Sequence, residues 1–280
     1  MQKYKTKKRF GQHFLHDHHV IQKLIYEINP DSSDLMVEIG PGLGALTFPL
    51  LEKIEQLHVV EIDRDVIKHL EQQHNPRLLI HSVDALKYNF NELTENNTSA
   101  LRVVGNLPYN ISTPLIFHLL EPLSNTNQQQ STITDMHFML QNEVVERITA
   151  KPGNKSFGRL SVMVQYYCET EYLFFVGPES FDPPPKVDSA ILRLTPWAKR
   201  PYQAIDDKQL SKIVAQAFSM RRKTLRNNLK KIISAEQIES LGIDPSHRAE
   251  TLSVEDFVKL SNFVSSLASD VISEHKHTQE

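Results

Sequence analysis

Short apolar, β-branched runs alternate with stretches of helical spacing from residue 34 to about 195. Leu35-Met36-Val37-Glu38-Ile39 predicts a first buried strand, and residues 45–54 carry apolar positions at helical intervals. Leu57-His58-Val59-Val60-Glu61-Ile62 predicts a second strand, followed by a helix over 64–74. Leu78-Leu79-Ile80, Leu101-Arg102-Val103-Val104 and Met136-His137-Phe138-Met139-Leu140 predict the third, fourth and fifth strands. Strands alternating with helices imply βαβ units and a mainly parallel sheet covered on both faces. The runs 172–176 and 190–194 have no helix between them. They are expected to close the sheet at seven strands as an antiparallel edge pair.

Beyond Pro196 the pattern becomes helical. Residues 206–231 read as helix, Gly242 stops a short helix ending near Leu241, and Ser253-Val254-Glu255-Asp256 forms a capping box opening a last helix to about 267. The expected architecture is α/β, a doubly covered sheet over residues 1–196 with a small all-helical C-terminal domain over 197–268. A disordered tail is expected over 269–280. The polar stretch 124–132 reads as a surface loop, and Pro183-Pro184-Pro185 as a stiff extended connector.

Hydrophobic residues at 40% and charged residues at 23% describe an ordinary globular chain, with no apolar run of bilayer-spanning length. The first nine residues lack an apolar export core, and a single cysteine, Cys168, excludes an internal disulfide framework. The expectation is a cytoplasmic protein. A net charge of -3 does not suggest a nucleic-acid binder, but its distribution does. Lys3, Lys5, Lys7, Lys8 and Arg9 form one acid-free block; Arg221, Arg222, Lys223, Arg226, Lys230 and Lys231 form another. Such blocks suit phosphate, with Arg147, Lys151, Lys155 and Arg159 as an extension of the second. A solvated tail and a polar helix face are the plain alternatives.

Glu38-Ile39-Gly40-Pro41-Gly42-Leu43-Gly44 follows the first strand and opens the first helix. Glycines there allow a tight turn and close approach of a ligand. Gly40-x-Gly42-x-x-Ala45 also fits a dinucleotide fingerprint, so the glycines alone leave the cofactor open. Glu38 beside the loop favours a cation over a pyrophosphate, which points to the sulfonium of S-adenosylmethionine. Glu61, at the end of the second strand, can accept from ribose hydroxyls in either cofactor class. Asp84, after the third strand, can accept from an adenine amino group or simply cap a helix.

Asn106-Leu107-Pro108-Tyr109 follows the fourth strand, at the carboxyl edge where ligands of open α/β sheets bind. The amine of adenine is a poor nucleophile because its lone pair is delocalised into the ring. Acceptors for its protons, the Asn106 oxygen and a carbonyl held by Pro108, can draw that lone pair out. Tyr109 offers a face for an extruded base. Alone, the tetrapeptide would be an ordinary turn; its place after the fourth strand makes it a candidate amine site.

The tetrapeptide resembles the amino-methylation motif in the form found in ribosomal RNA adenine N6-dimethyltransferases, and the glycine string resembles that of class I, Rossmann-like methyltransferases. Lys8-Arg9-Phe10-Gly11-Gln12-His13-Phe14-Leu15, Phe181-Asp182-Pro183-Pro184-Pro185-Lys186-Val187-Asp188-Ser189 and Phe218-Ser219-Met220-Arg221-Arg222-Lys223-Thr224-Leu225-Arg226 resemble the same family. Together they are similar to its bacterial small-subunit branch. The resemblance implies dimethylation, from S-adenosylmethionine, of two adjacent adenosines in the 3′-terminal hairpin of 16S ribosomal RNA in the small subunit or its precursor, by a monomer. It implies cofactor contacts from His13, Leu15, Gly40, Gly42, Glu61, Asp84 and Asn106, and a base clamp in which Phe181 opposes Tyr109. Where this chain has His13 the family usually has asparagine; an imidazole nitrogen cannot both donate and accept as an amide does.

Other readings stay open on the residues. A large-subunit RNA methylase would share the same core, and the helical C-terminal domain is what discriminates it. A non-catalytic assembly factor would keep the fold without the intact glycine loop, Glu61 and Asn106. A nicotinamide dehydrogenase leaves Asn-Leu-Pro-Tyr unexplained. His13, His16, Asp17, His18 and His19 crowd together, but no second ligand cluster accompanies them, and no metal is expected.

Overall fold

The structure, a computed structural model, describes residues 12–95, 99–121 and 132–277, with side chains to 267. The basic block at Lys3–Arg9 and nearly all of the 124–132 loop lie outside these. The chain divides into two compact units: residues 1–145 with 169–198, and residues 146–168 with 199–280.

The first unit holds a seven-stranded sheet. Its strands are β2 (Leu35–Ile39), β3 (Leu57–Glu61), β4 (Leu78–Ser82), β5 (Leu101–Asn106), β6 (Ile133–Gln141), β7 (Cys168–Val176) and β9 (Ser189–Pro196), in the order β4-β3-β2-β5-β6-β9-β7. Pairings among β2 to β6 are parallel, and β9 runs antiparallel to β6. The sheet reverses between β2 and β5, so the segments leaving those two strands diverge and open a cleft at their carboxyl ends. β2 is buried along its whole length, which explains why all of its residues but Glu38 are apolar. Helices α2 (Thr47–Leu51), α3 (Arg64–Glu71) and α4 (Ser112–Leu120) connect the parallel strands.

The sequence pattern did not reveal a two-stranded ribbon, β1 (Phe14–Leu15) against β8 (Phe181–Asp182), or the helix α1 (His18–Ile28) that follows β1. Asp17 caps α1, accepting from the amides of His19 and Val20. Two sheet arginines receive the other end. Arg102 donates to the carbonyls of Ile28 and Asn29 and pairs with Asp34 and Asp135; Arg193 donates to the Glu27 carbonyl and carboxylate. Cations at a helix C-terminus satisfy its unpaired carbonyls and its negative pole.

The second unit contains the last four residues of α5 (Asn142–Thr149), then α6 (Arg159–Tyr167), α7 (Asp207–Ala217), α8 (Leu225–Leu229), α9 (Ala235–Ser240) and α10 (Val254–His277). The pattern assigned residues 146–168 to the sheet domain; they belong here because the Tyr166 and Tyr167 hydroxyls both donate to Asp207 at the start of α7. The single helix expected over 206–231 is two. The Asn228 side chain donates to the carbonyls of Ala217 and Met220, replacing intrahelical partners and turning the chain. Gly242, at φ 75°, ends α9 as expected, and Ser253 and Asp256 form the expected reciprocal cap. α10 continues to His277, past the stop expected near 267 and into the stretch expected to be disordered. No glycine or proline interrupts residues 254–277, so only the apolar periodicity ends there. No described helix is long and apolar enough to cross a membrane.

Candidate active site

A cleft of about 290 Å³ opens at the carboxyl ends of β2, β3, β4 and β5, and the first unit lines it throughout. Every expected cofactor residue lies on its wall: His13, Leu15, Gly40, Gly42, Glu61, Asp84 and Asn106. Leu107, Pro108 and Tyr109 line it too. Phe181 does not. It is 2% exposed and packs in the core with Leu15 and Ile21, because its β8 register places it opposite Leu15. In this structure the aromatic is a core residue of the β1–β8 ribbon and does not line the cleft.

The glycine loop is shaped by its left-handed residues, Gly40, Gly42 and Gly44. At Gly42 a Cβ would stand 3.0 Å from the Phe14 ring, so the arm carrying β1 lies directly on the loop. Gly105, just before Asn106, is needed for a different reason. A Cβ there would meet the Ile39 carbonyl oxygen at 2.6 Å, so only glycine lets β5 run this close to β2.

Acidic groups sit around this loop. Glu38 is buried and accepts from the Thr47 hydroxyl at 2.6 Å. Burial, with Glu61 adding repulsion and Thr47 partly opposing, pushes its carboxyl up to about 7. One Glu61 oxygen accepts from the amides of Ile62 and Asp63, both at 2.8 Å. Asp84 accepts from the Leu86 amide in a turn, and no helix starts there for it to cap. Asp63 escaped notice in the sequence: buried at 2%, it caps α3 and accepts from the Gln12 amide at 3.0 Å, tying the arm down. Glu38, Glu61 and Asp84, the three acidic residues that line the cleft, suit a ligand that is cationic and carries ribose and adenine donors. A pyrophosphate would be repelled.

At the other end of the cleft, the Asn106 side-chain nitrogen donates to the His13 carbonyl at 3.1 Å. That bond fixes the orientation of the amide and leaves its oxygen as the acceptor. The Pro108 carbonyl accepts from the Ile111 amide; the Leu107 carbonyl, fixed by the proline that follows it, is the candidate backbone acceptor at this turn. The Leu107 side chain is core, 1% exposed. The Tyr109 hydroxyl bonds Ser189 at 2.7 Å, which anchors the ring from the first residue of β9. Burial raises the pKa of that phenol despite the bond. Ser189 was visible in the sequence only as part of a string, with no role attached.

Of the basic residues, Arg221, Arg222 and Lys223 lie in the link between α7 and α8, not on a helix face; Arg226 is on α8. Arg221 donates to the Lys155 carbonyl and approaches Glu250, so it braces its own unit. Among the described residues, no three His, Cys, Asp or Glu side chains come together as a metal site.

A family model for ribosomal RNA adenine dimethylase matches residues 3–266. The chain is 57% identical over 266 residues to the ribosomal RNA small subunit methyltransferase A of Hydrogenovibrio crunogenus, covering 94% of this chain and 97% of that one. It is 55% identical to the enzyme of the same name from Alcanivorax borkumensis, covering 94% and 91%. Among solved structures it is similar to a dimethyladenosine transferase from Plasmodium falciparum (TM-score 0.72, 26% identity, 89% of this chain and 96% of that one). The 23S rRNA methyltransferase ErmE (TM-score 0.70, 24% identity, 90% and 99%) shares the fold.

Proposed function

The chain belongs to the ribosomal RNA adenine dimethylase family, is an S-adenosylmethionine-dependent rRNA adenine N6-dimethyltransferase, and, we propose, acts on the small ribosomal subunit. The target proposed is the pair of adjacent adenosines in the 3′-terminal hairpin of 16S RNA, each methylated twice, during subunit biogenesis in the cytoplasm. The names of the relatives at 55–57% identity support that choice over a large-subunit substrate. The observation that carries the chemistry is the Asn106 amide, whose nitrogen is committed to the His13 carbonyl and whose oxygen remains to accept.

When bound, S-adenosylmethionine supplies a methyl group already activated by its sulfonium. The residues that would hold it are Leu15, Gly40, Gly42, Glu61 and Asp84, with His13 and Asn106 at the junction with the acceptor site; Glu38 contributes negative charge behind the loop. No metal is proposed, because the leaving group needs no Lewis acid. The Asn106 oxygen and the Leu107 carbonyl accept the two amine protons of the adenine and localise its lone pair towards the methyl group. Pro108 keeps that carbonyl in place, and the Tyr109 ring, tethered to Ser189, supports the extruded base. After the first transfer one amine proton remains, and one acceptor suffices to orient the second. Catalysis is then mostly alignment. Arg222, Lys223 and Arg226, braced by Arg221, would contact phosphate from the helical unit. The enzyme is proposed to work as a monomer.

The substrate assignment is tested by incubating the protein and labelled S-adenosylmethionine with immature small subunits, large subunits and free RNA. Label confined to small-subunit RNA is expected. Label in the large subunit would transfer the chain to the other substrate, and none in any of the three would make it an assembly factor.

A further inference from the structure

We propose that Lys186 holds the backbone phosphate flanking the target adenosine, from the rim of the methyl-acceptor site. The proposal rests on the reading that the acceptor is an adenine amine carried by RNA.

A nucleotide cannot place its base in the cleft without bringing a phosphate to its edge. The cleft itself opposes that. Glu38, Glu61 and Asp84 line it, and among the described residues no lysine or arginine does. A cation at the rim is therefore needed to hold the phosphate while Tyr109 supports the base.

The segment from Pro183 to Ser189, which leads from β8 into β9, carries one. Three bonds fix this segment, two of them to residues of the cleft. His13 Nδ1 donates to the Pro183 carbonyl at 2.7 Å. At the other end the Ser189 and Tyr109 hydroxyls are bonded at 2.7 Å, and the Asp188 carbonyl accepts the Asn142 amide at 2.9 Å. Pro185 and Ser189 are buried, whereas Lys186, Val187 and Asp188 between them are exposed, Val187 to 43%. The result is a short outward tip, stiffened by the prolines before it and tethered on both sides to the acceptor site.

Lys186 is the one cation on that tip. Three residues separate it from Ser189, so the two Cα atoms are at most about 11 Å apart. The four-carbon stem of lysine and the sugar–phosphate of a bound nucleotide can close that span between them. Arg102 and Arg193 of the same unit are committed to carboxylates; among the described residues none pairs with Lys186. Asp182 and Asp188 flank it, so without the ammonium the tip would present only acids to the RNA.

Wild type, Lys186→Gln and Lys186→Arg would be compared by calorimetry with S-adenosylmethionine alone and by kinetics on small subunits at low and moderate salt. A second set of subunits, reconstituted with a single uncharged methylphosphonate on the 5′ or the 3′ side of a target adenosine, tests the phosphate itself. A charge-assisted contact predicts that kcat/KM falls about tenfold in Lys186→Gln at low salt. The salt slope should become shallower by about one, with cofactor affinity within about twofold of wild type. Lys186→Arg should keep most of the activity and the full salt slope. At one of the two positions the methylphosphonate should cost the wild type about what Lys186→Gln costs, and cost that variant little more. An unchanged kcat/KM in Lys186→Gln would overturn the proposal. So would a loss that leaves the salt slope at its wild-type value, or penalties of variant and methylphosphonate that multiply at both positions. Failure of the wild type to methylate any small subunit would instead remove the functional reading itself.

Discussion

Glu38 occupies a position where charge is costly without the ligand. Its carboxyl ionises near 4.5 in an unfolded chain but near 7 in the fold, so the folded state holds an extra proton between those values. Stability is therefore lost as pH rises from about 4.5 through about 7, and the loss is complete above that. Glu38→Gln, which can still accept from Thr47, should be more stable than wild type above pH 7, by on the order of a few kcal/mol, and no more stable at pH 4. Chemical denaturation across that range checks it. A cationic cofactor favours the ionised form, so its affinity for the wild type should improve as pH rises through 7 and stay flat in Glu38→Gln; calorimetry at pH 5.5 and 8 separates the two. The place of Asn106 and Tyr109 in the cleft was legible in the sequence, because the motif directly follows a strand. Ser189, Asp63 and the His13 carbonyl were not legible. Each acts through a partner far away in the chain, and no local pattern records such a bond.

Among the elements, β5 is the one whose placement decides the site. Gly105 lets it lie against the Ile39 carbonyl, and Asn106 follows immediately. Gly105→Ala should displace the strand end, costing about 1–3 kcal/mol of stability as overpacked sites do, and should lower kcat more than cofactor affinity. Thermal melts and steady-state kinetics read both effects. Arg102 joins β5 to β6 and to the end of α1 through Asp135, Asp34 and two carbonyls. Arg102→Met would leave those carboxylates half-buried and unpaired, at a cost of roughly 3–5 kcal/mol in denaturant unfolding. The strands were legible because each is an apolar run bounded by polar turns. The ribbon β1–β8 was not, since two residues per strand carry no periodicity. The 206–231 helix was misread for a related reason: its break depends on where the Asn228 side chain folds back, which composition does not encode.

Over the whole molecule, a chain of net charge -3 is proposed to engage a polyanion through a local excess of cations. If Arg222, Lys223 and Arg226 each neutralise one phosphate, replacing all three with Gln should reduce the salt dependence of RNA binding by a slope of about 3. Cofactor affinity should not change. Filter binding between low and moderate salt measures it. The division into units was partly legible. Its C-terminal boundary followed the change from strand pattern to helix pattern, whereas residues 146–168 joined the helical unit through tyrosine hydroxyls donating to Asp207, a tertiary choice. The central claim is that Asn106 orients an adenine amine of small-subunit RNA for transfer. The most direct test compares wild type with Asn106→Ala, using nucleoside mass spectrometry of small-subunit RNA after reaction and calorimetry of cofactor binding. The account predicts N6,N6-dimethyladenosine from the wild type, a loss of at least ~100-fold in the variant, and cofactor affinity kept within a few fold. Undiminished dimethyladenosine from Asn106→Ala would contradict it.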